Sequence, residues 1–338
     1  MARDDTAQRI SDLATGPVAG RGLSRDEALE LVALGRDRPD ALIEAAERIR
    51  RAHRGNVVQL CGIVAAKAGH CSEDCRWCSQ AARHATGIAT HGLLDEAALL
   101  DQARRARDDG AVCFGLVTSG ATPTAADLSR LCRVIRRMRD DVGIDPCASL
   151  GMLDDAAAAQ LADAGCRRYN HNLETSRRHF PRVVTTHHYD DRVATARRVK
   201  AAGMQLCCGG LFGIGESDED RVDLALAVRE LDADVTPINF LNPIPGTPLA
   251  GAARLSPEQC LAIIAMMRFV LPTRCLKVAG GREVNLGSLQ SRMFAAGADG
   301  CLIGNYLTTR GRPAAEDLAM VASLGLSAAR PAAPGGCG

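Results

Sequence analysis

Residues 144–173 read IDPCASLGMLDDAAAAQLADAGCRRYNHNL, and this stretch carries the pattern that decides the fold. An apolar run of strand length, 144–150, comes first. An aspartate pair and a string of alanines then give a helix over 154–164, closed by Gly165 in the position where helices commonly end. A second strand follows directly over 168–173. Strand, helix and strand in so short a span form a parallel βαβ unit.

The unit repeats in both directions. Toward the N-terminus, strands over 57–64 and 111–118 alternate with helices over 96–109 and 125–141. Toward the C-terminus, strands over 204–211, 234–240, 274–279 and 300–303 alternate with helices over 190–202, 218–231, 256–270 and 286–296, and a last helix spans 314–324. Eight strands alternating with helices are the pattern of a closed parallel (β/α)8 barrel of the TIM type. An open doubly wound sheet is the competitor, and eight units without a strong linker favour the barrel. Ahead of it, Ser24 followed by Asp26 and Glu27 marks the start of a helix reaching about residue 53. The expected organisation is an N-terminal helical extension over 1–54, frayed through about residue 24, the barrel over 55–325, and a disordered Ala/Pro/Gly-rich tail over 326–338.

The chain has 338 residues, 46 % hydrophobic and 24 % charged, with a formal net charge of +1. This excludes disorder as a global description and gives no reason to expect a nucleic-acid or membrane-surface partner. No apolar run approaches the ~20 residues needed to cross a bilayer, and the first residues lack an apolar signal core. The expectation is a cytoplasmic protein whose thiols stay reduced. Its 14 cysteines then point to metal, cluster or redox chemistry rather than disulfides. Cys132, Cys166, Cys260 and Cys301 sit alone in apolar patterns and read as small buried residues.

Residues 65–80, AAKAGHCSEDCRWCSQ, place Cys71, Cys75 and Cys78 in the loop after the first strand, where barrel chemistry collects. Three thiolates on a short loop can hold three irons of a cubane and leave the fourth open to a small molecule. A structural zinc site wants four closed ligands, and an electron-transfer cluster uses four thiolates. The alternative is a zinc knuckle completed by His70 or a distant cysteine. The Cys-x3-Cys-x2-Cys spacing, with the aromatic Trp77 before the third cysteine, resembles the signature loop of the radical S-adenosylmethionine superfamily. That resemblance implies a 4Fe–4S cluster whose unique iron chelates S-adenosylmethionine and drives its reductive cleavage.

Further stretches narrow the resemblance to the biotin synthase family: KAGHCSEDCRWCSQ (67–80), RRYNHNLETS (167–176), GGLFGIGES (209–217), PINFLNPIPGTPL (237–249), GGREVNL (280–286) and NYLTTRG (305–311). The likeness runs from about residue 55 to 325. It implies sulfur insertion between C6 and C9 of dethiobiotin, with two S-adenosylmethionine consumed per product. The alternative is another radical enzyme of this barrel type acting on a different small molecule. The resemblance assigns Asn172 to both dethiobiotin and the cofactor ribose. It gives Glu174, where the family commonly has Asp, to the ribose hydroxyls, and Gly213, Gly215 and Glu216 to the adenine side of the cofactor. Asn239 would meet the ureido ring, and Thr308 and Thr309 the valeryl carboxylate. It also implies a flavodoxin- or ferredoxin-type electron donor and a homodimer.

The family's second cluster, a 2Fe–2S centre on three strand cysteines and one Arg, is where this chain departs. Cys147 and Cys207 match two of those cysteines, but Gly115 stands at the third and Lys277 at the Arg position. New cysteines lie near. Cys61 is on the first strand, and Cys113, two residues before Gly115, points to the same side by strand parity. By the same parity Cys275 shares a face with Lys277, and Cys208 faces away from Cys207. The expected auxiliary ligand set is Cys61, Cys113, Cys147 and Cys207. Four thiolates suit a four-iron cluster better than a two-iron one. In the alternative reading, Cys61 and Cys113 are core fillers.

Overall fold

A computed structural model describes residues 2–330. The parallel strands are β1 (Val57–Lys67), β2 (Cys113–Thr118), β3 (Asp145–Ser149), β4 (Arg168–Asn170), β5 (Gln205–Cys207), β6 (Gly210–Phe212), β7 (Val235–Phe240), β8 (Cys275–Val278), β9 (Gly300–Leu302) and β10 (Ser327–Ala328). Sheet order follows chain order from β1 to β9, and β9 pairs back onto β1, so the sheet closes. β5 and β6 are two halves of the fifth barrel strand, interrupted at Cys208 and Gly209. Pro237, opposite on β7, has no amide hydrogen to give to the ladder, and a side chain at Gly209 would lie 2.0 Å from its carbonyl oxygen. The closed (β/α)8 barrel is therefore the observed fold.

Alternation along each strand sorts the side chains. On β1, Val58, Leu60, Val64 and Ala66 are buried in the main apolar core, while Cys61 packs with Cys113 and Cys147 in a separate cluster. Gly62 marks the outer side, because a side chain there would touch Ala106 and Phe114. Cys132, Cys166, Cys260 and Cys301 lie in the main core, as their apolar settings predict, and so does Cys208.

Three expectations are corrected. The N-terminal segment is not frayed: Ala2–Leu13 is a helix, and its Ile10 is fully buried. One apolar stripe suffices to dock it, and Arg9 adds an ion pair to Glu30 at 2.7 Å. The single helix read over 24–53 is two, Arg25–Asp37 and Pro39–Arg54. Pro39 lacks an amide hydrogen and pushes Arg38 out of helical backbone (φ −132°, ψ 66°). The first of the two does begin at Ser24 in a capping box with Glu27. Finally, the segment read as a tail from 326 starts with order. Ser327 and Ala328 pair with Val57 and Val58, the Ser327 amide donating to the Asn56 carbonyl at 2.9 Å. The remainder of that tail, 331–338, lies outside the described residues. Among the described residues, no helix is long and apolar enough to cross a membrane.

Candidate active site and auxiliary thiol cluster

The cysteine loop leaves β1 through Gly69 (φ 80°) and His70 (φ 53°), both in the left-handed region. Glycine is needed first, since a side chain at Gly69 would lie 2.3 Å from Thr90 Cγ2. The loop then folds on itself: the Cys71 amide donates to the Gln80 carbonyl (3.0 Å), and the Ala82 amide to the Cys71 carbonyl (2.8 Å). A second segment pins it from outside. The Asp74 carboxylate accepts from the Thr185 amide at 2.9 Å. Burial raises the Asp74 pKa, but hydrogen bonds from Thr185 and Thr186 outweigh it and bring the group down to about 2. The Arg76 amide donates to the Val183 carbonyl at 3.1 Å.

Cys71, Cys75 and Cys78 line one cavity of about 250 Å³ with Asn170, Asn172, Glu174 and Arg192. Burial pushes the Cys75 thiol up to about 12 and raises that of Cys78. Such thiols become thiolates only when a metal compensates the charge. Among the described residues, no three Cys, His, Asp or Glu side chains converge tightly enough to hold a single ion. Three thiols opening on one cavity suit a multinuclear cluster, in which each thiolate would take its own iron. The Asn170 carboxamide oxygen, on the same cavity's wall, is buried with no hydrogen-bond partner. An orphaned acceptor beside three thiols fits a ligand that brings a donor.

Asn172 and Glu174 stand where this cavity meets a second one of about 310 Å³, which Asn239, Tyr306, Thr308 and Thr309 also line. Glu174 has φ 68°, and its carbonyl accepts from the Leu211 amide at 2.8 Å, stitching the β4 exit to β6. Burial raises the Glu174 carboxyl, while Arg192 and the Asn172 amide, 3.5 Å away, oppose this. Arg192, which the sequence reading did not single out, ties the site together. Its guanidinium donates to the Asn172 carbonyl (2.9 Å) and to His187 Nε2 (3.0 Å), while His187 Nδ1 donates to Glu73 of the cysteine loop. The chain Glu73–His187–Arg192–Glu174 thus couples the loop to the carboxylate.

Of the substrate-side residues, Asn239 spans two strands, accepting from the Gly280 amide (3.0 Å) and donating to the Gly210 carbonyl (3.1 Å). The Thr308 hydroxyl meets that of Ser79 at 3.1 Å, linking the strand-eight loop to the cysteine loop. Gly213, Gly215 and Glu216 line neither of these two cavities. Glu216 folds back on its own loop, accepting from the amides of Gly213 (2.9 Å) and Ile214 (2.8 Å) and from Arg221 Nε (2.8 Å). Its carboxylate shapes the loop whose glycines sit at φ 91° and 94°.

Deeper in the lumen, Cys61 and Cys113 are paired in register, with their sulfurs 2.6 Å apart. Cys147 completes the cluster. Cys207 lies with Val235 and Cys275 in a neighbouring cluster, and the Cys275 sulfur is 3.7 Å from Gln59 Oε1. The neighbouring Cys147 and Cys61 thiols hold the Cys113 pKa well down, against the rise from burial and helped by Lys277 and Arg168. Burial raises that of Cys207. Arg168 also escaped the sequence reading: its Nη1 lies 3.6 Å from the Cys113 sulfur, and the side chain is buried. Strand parity with Asn170 could have found it. At Gly115 a side chain would begin 3.2 Å from Ile63 Cγ2 and 4.0 Å from the Asn170 amide, so that wall is already filled. The thiol instead sits one pleat lower, at Cys113.

Comparison with known proteins agrees with this geometry. Residues 67–228 match the Radical SAM superfamily model, and residues 237–327 match the Biotin and Thiamin Synthesis associated domain. The chain is 50 % identical to the biotin synthase of Geobacter sulfurreducens over 93 % of its own length and 96 % of the relative's. It is 49 % identical to that of Trichlorobacter lovleyi, covering 95 % and 97 %. Among solved structures, methylornithine synthase superposes with a TM-score of 0.82 at 22 % identity, covering 94 % of this chain and 97 % of that one, a likeness of fold. With identity near one half over almost the full length, and with the three loop cysteines opening on a cavity they share with Asn172 and Glu174, the chain belongs to the biotin synthase family of radical S-adenosylmethionine enzymes.

Proposed function

We propose that this chain inserts sulfur between C6 and C9 of dethiobiotin, closing the thiophane ring of biotin, in the cytoplasm. The observation that carries the reading is the junction at Asn172 and Glu174, where the cavity of the cysteine loop meets the cavity bearing Asn239, Thr308 and Thr309. When bound, the 4Fe–4S cluster and S-adenosylmethionine supply one-electron chemistry able to break an unactivated C–H bond, and a second cluster supplies the sulfur. Every other role falls to the chain itself. Cys71, Cys75 and Cys78 hold the first cluster. Glu174 offers two acceptor oxygens to the vicinal ribose hydroxyls, and Arg192 keeps that carboxylate aimed. Asn172 and Asn239 bind the polar ring of the substrate, and Thr308 and Thr309 its carboxylate, so that the reacting carbons are held toward the first cavity. Gly213 and Gly215 let the backbone approach the adenine in a loop braced by Glu216.

Cys61, Cys113, Cys147 and Cys207 are the ligands of the second cluster in this reading, with four irons. An external one-electron carrier of the flavodoxin or ferredoxin class completes the cycle. The direct test is anaerobic incubation of the iron- and sulfide-reconstituted chain with dethiobiotin, S-adenosylmethionine and a reductant. Biotin should form, and Thr308→Ala/Thr309→Ala should raise the dethiobiotin concentration needed while S-adenosylmethionine binding stays intact. Cofactor cleavage without biotin would assign the chain a different small substrate.

A further inference from the structure

Two cations are buried in the barrel lumen with no carboxylate ion-paired to either among the described residues. Arg168 is 7 % exposed and Lys277 is 4 % exposed. The Arg168 guanidinium donates to the neutral Gln205 carboxamide oxygen, at 2.8 Å from Nη2 and 3.2 Å from Nε. Its remaining contact is the Cys113 sulfur, 3.6 Å from Nη1. The Lys277 ammonium, on β8, makes no ion pair or side-chain hydrogen bond among the described residues. Asp145 pairs with Arg167 at 3.1 Å and reaches Arg168 only through its charge, without an ion pair, and Asp234 pairs with Lys200 at 3.2 Å. An unbalanced buried charge costs several kcal/mol; the Cys113 thiol, held well down, answers one of the two cations, and the other calls for a further negative charge in the lumen. The lumen is therefore built around a doubly negative occupant.

Cys61, Cys113, Cys147 and Cys207 supply that charge if all four are thiolates on an iron–sulfur core carrying two positive charges. Three thiolates with a neutral fourth ligand would leave one cation uncompensated. The electrostatic environment agrees: the lumen thiols, and among them Cys113, act on both Arg168 and Lys277.

We propose that Arg168 and Lys277 are the counter-charges of the auxiliary cluster, and that Arg168 is its positioning residue, donating a hydrogen bond to the Cys113 sulfur. This rests on the four-thiolate reading above. Cluster potentials follow net charge, hydrogen bonds to sulfur and solvent exposure. Accepting one electron from a carrier makes the cluster more negative, so the paired cations favour the reduced state and raise the potential. Because the lumen is buried, the effect is insensitive to salt.

The test uses the full-length chain carrying Cys71→Ala, Cys75→Ala and Cys78→Ala, reconstituted anaerobically so that the auxiliary cluster is seen alone. Its midpoint potential is measured by redox titration with EPR detection. Arg168→Met and Lys277→Met should each move the potential to more negative values, and Arg168→Lys should restore most of the loss. If Arg168→Met fails to hold a cluster, retention in Arg168→Lys supports the same conclusion. An unmoved potential in both methionine variants overturns the proposal, as does an Arg168→Lys variant that behaves like Arg168→Met while circular dichroism shows a folded barrel. Absence of any cluster in the parent triple variant removes the four-thiolate reading and the proposal together. A cluster with an unmoved potential removes the proposal alone.

Discussion

Glu174 concentrates several constraints in one residue. Its backbone lies in the left-handed region at φ 68°, which bulky side chains adopt only when their surroundings hold them there. The hold is visible: its amide donates to the Gly209 carbonyl at 3.2 Å, and its carbonyl accepts from Leu211 at 2.8 Å. The shorter Asp would visit that conformation more readily. The longer Glu side chain lets the carboxylate approach Arg192, 3.9 Å from its Oε1. Replacing Glu174 by Gln leaves one acceptor for two ribose hydroxyls and removes a charged hydrogen bond, a loss of about 1.5–3 kcal/mol. S-Adenosylmethionine binding, followed by equilibrium dialysis on the anaerobic protein, should weaken roughly ten- to hundredfold. Unchanged affinity would take the ribose away from this carboxylate.

At the scale of elements, the βαβ rhythm was legible because several of the barrel helices announce their ends. Asp154 caps its helix by accepting from the Ala157 amide, and Gly165 (φ 85°) turns the chain into β4. The breaks were harder to read. The split of the fifth strand depends on Pro237 of β7 lying opposite Gly209, a pairing between residues far apart in sequence. β10 holds on through backbone hydrogen bonds, which no side-chain pattern signals. Within the site, the three loop cysteines could be read from spacing, and the lumen thiols from parity. Arg192 could not, since its partners Asn172 and His187 come from other segments. Gly210 shows how tightly β6 is set against this site. A side chain there would lie 2.5 Å from the Glu174 carbonyl oxygen and 2.5 Å from Leu224 Cδ2. Gly210→Ala should therefore cost about 1–3 kcal/mol of stability. Denaturant unfolding would register this as a lower midpoint, and cofactor affinity should fall with it. An unchanged midpoint would mean that β6 yields without disturbing Glu174.

For the whole molecule, the barrel is closed at one end and open at the other. Asp299 is fully buried at the floor and accepts from Arg268 and Arg54 at 2.6 Å each and from the Leu276 amide at 2.8 Å. Arg54 belongs to the N-terminal extension, so those helices also help to seal the lumen beneath the auxiliary thiols. At the open end, the cysteine loop and the strand-eight loop meet over two adjoining cavities. A sealed floor keeps water from the deeper thiols, and an open mouth admits cofactor and substrate. In the proposed reading one barrel holds two clusters, one on the loop cysteines and one on four lumen thiolates. Iron and sulfide analysis of the fully reconstituted protein, read together with its Mössbauer spectrum, tests this most directly. The expected result is about eight irons per chain, all in four-iron environments, and about four remaining in the Cys71→Ala/Cys75→Ala/Cys78→Ala variant. About six irons with a two-iron signature, or full iron and biotin formation in both Cys61→Ala and Cys113→Ala, would contradict it.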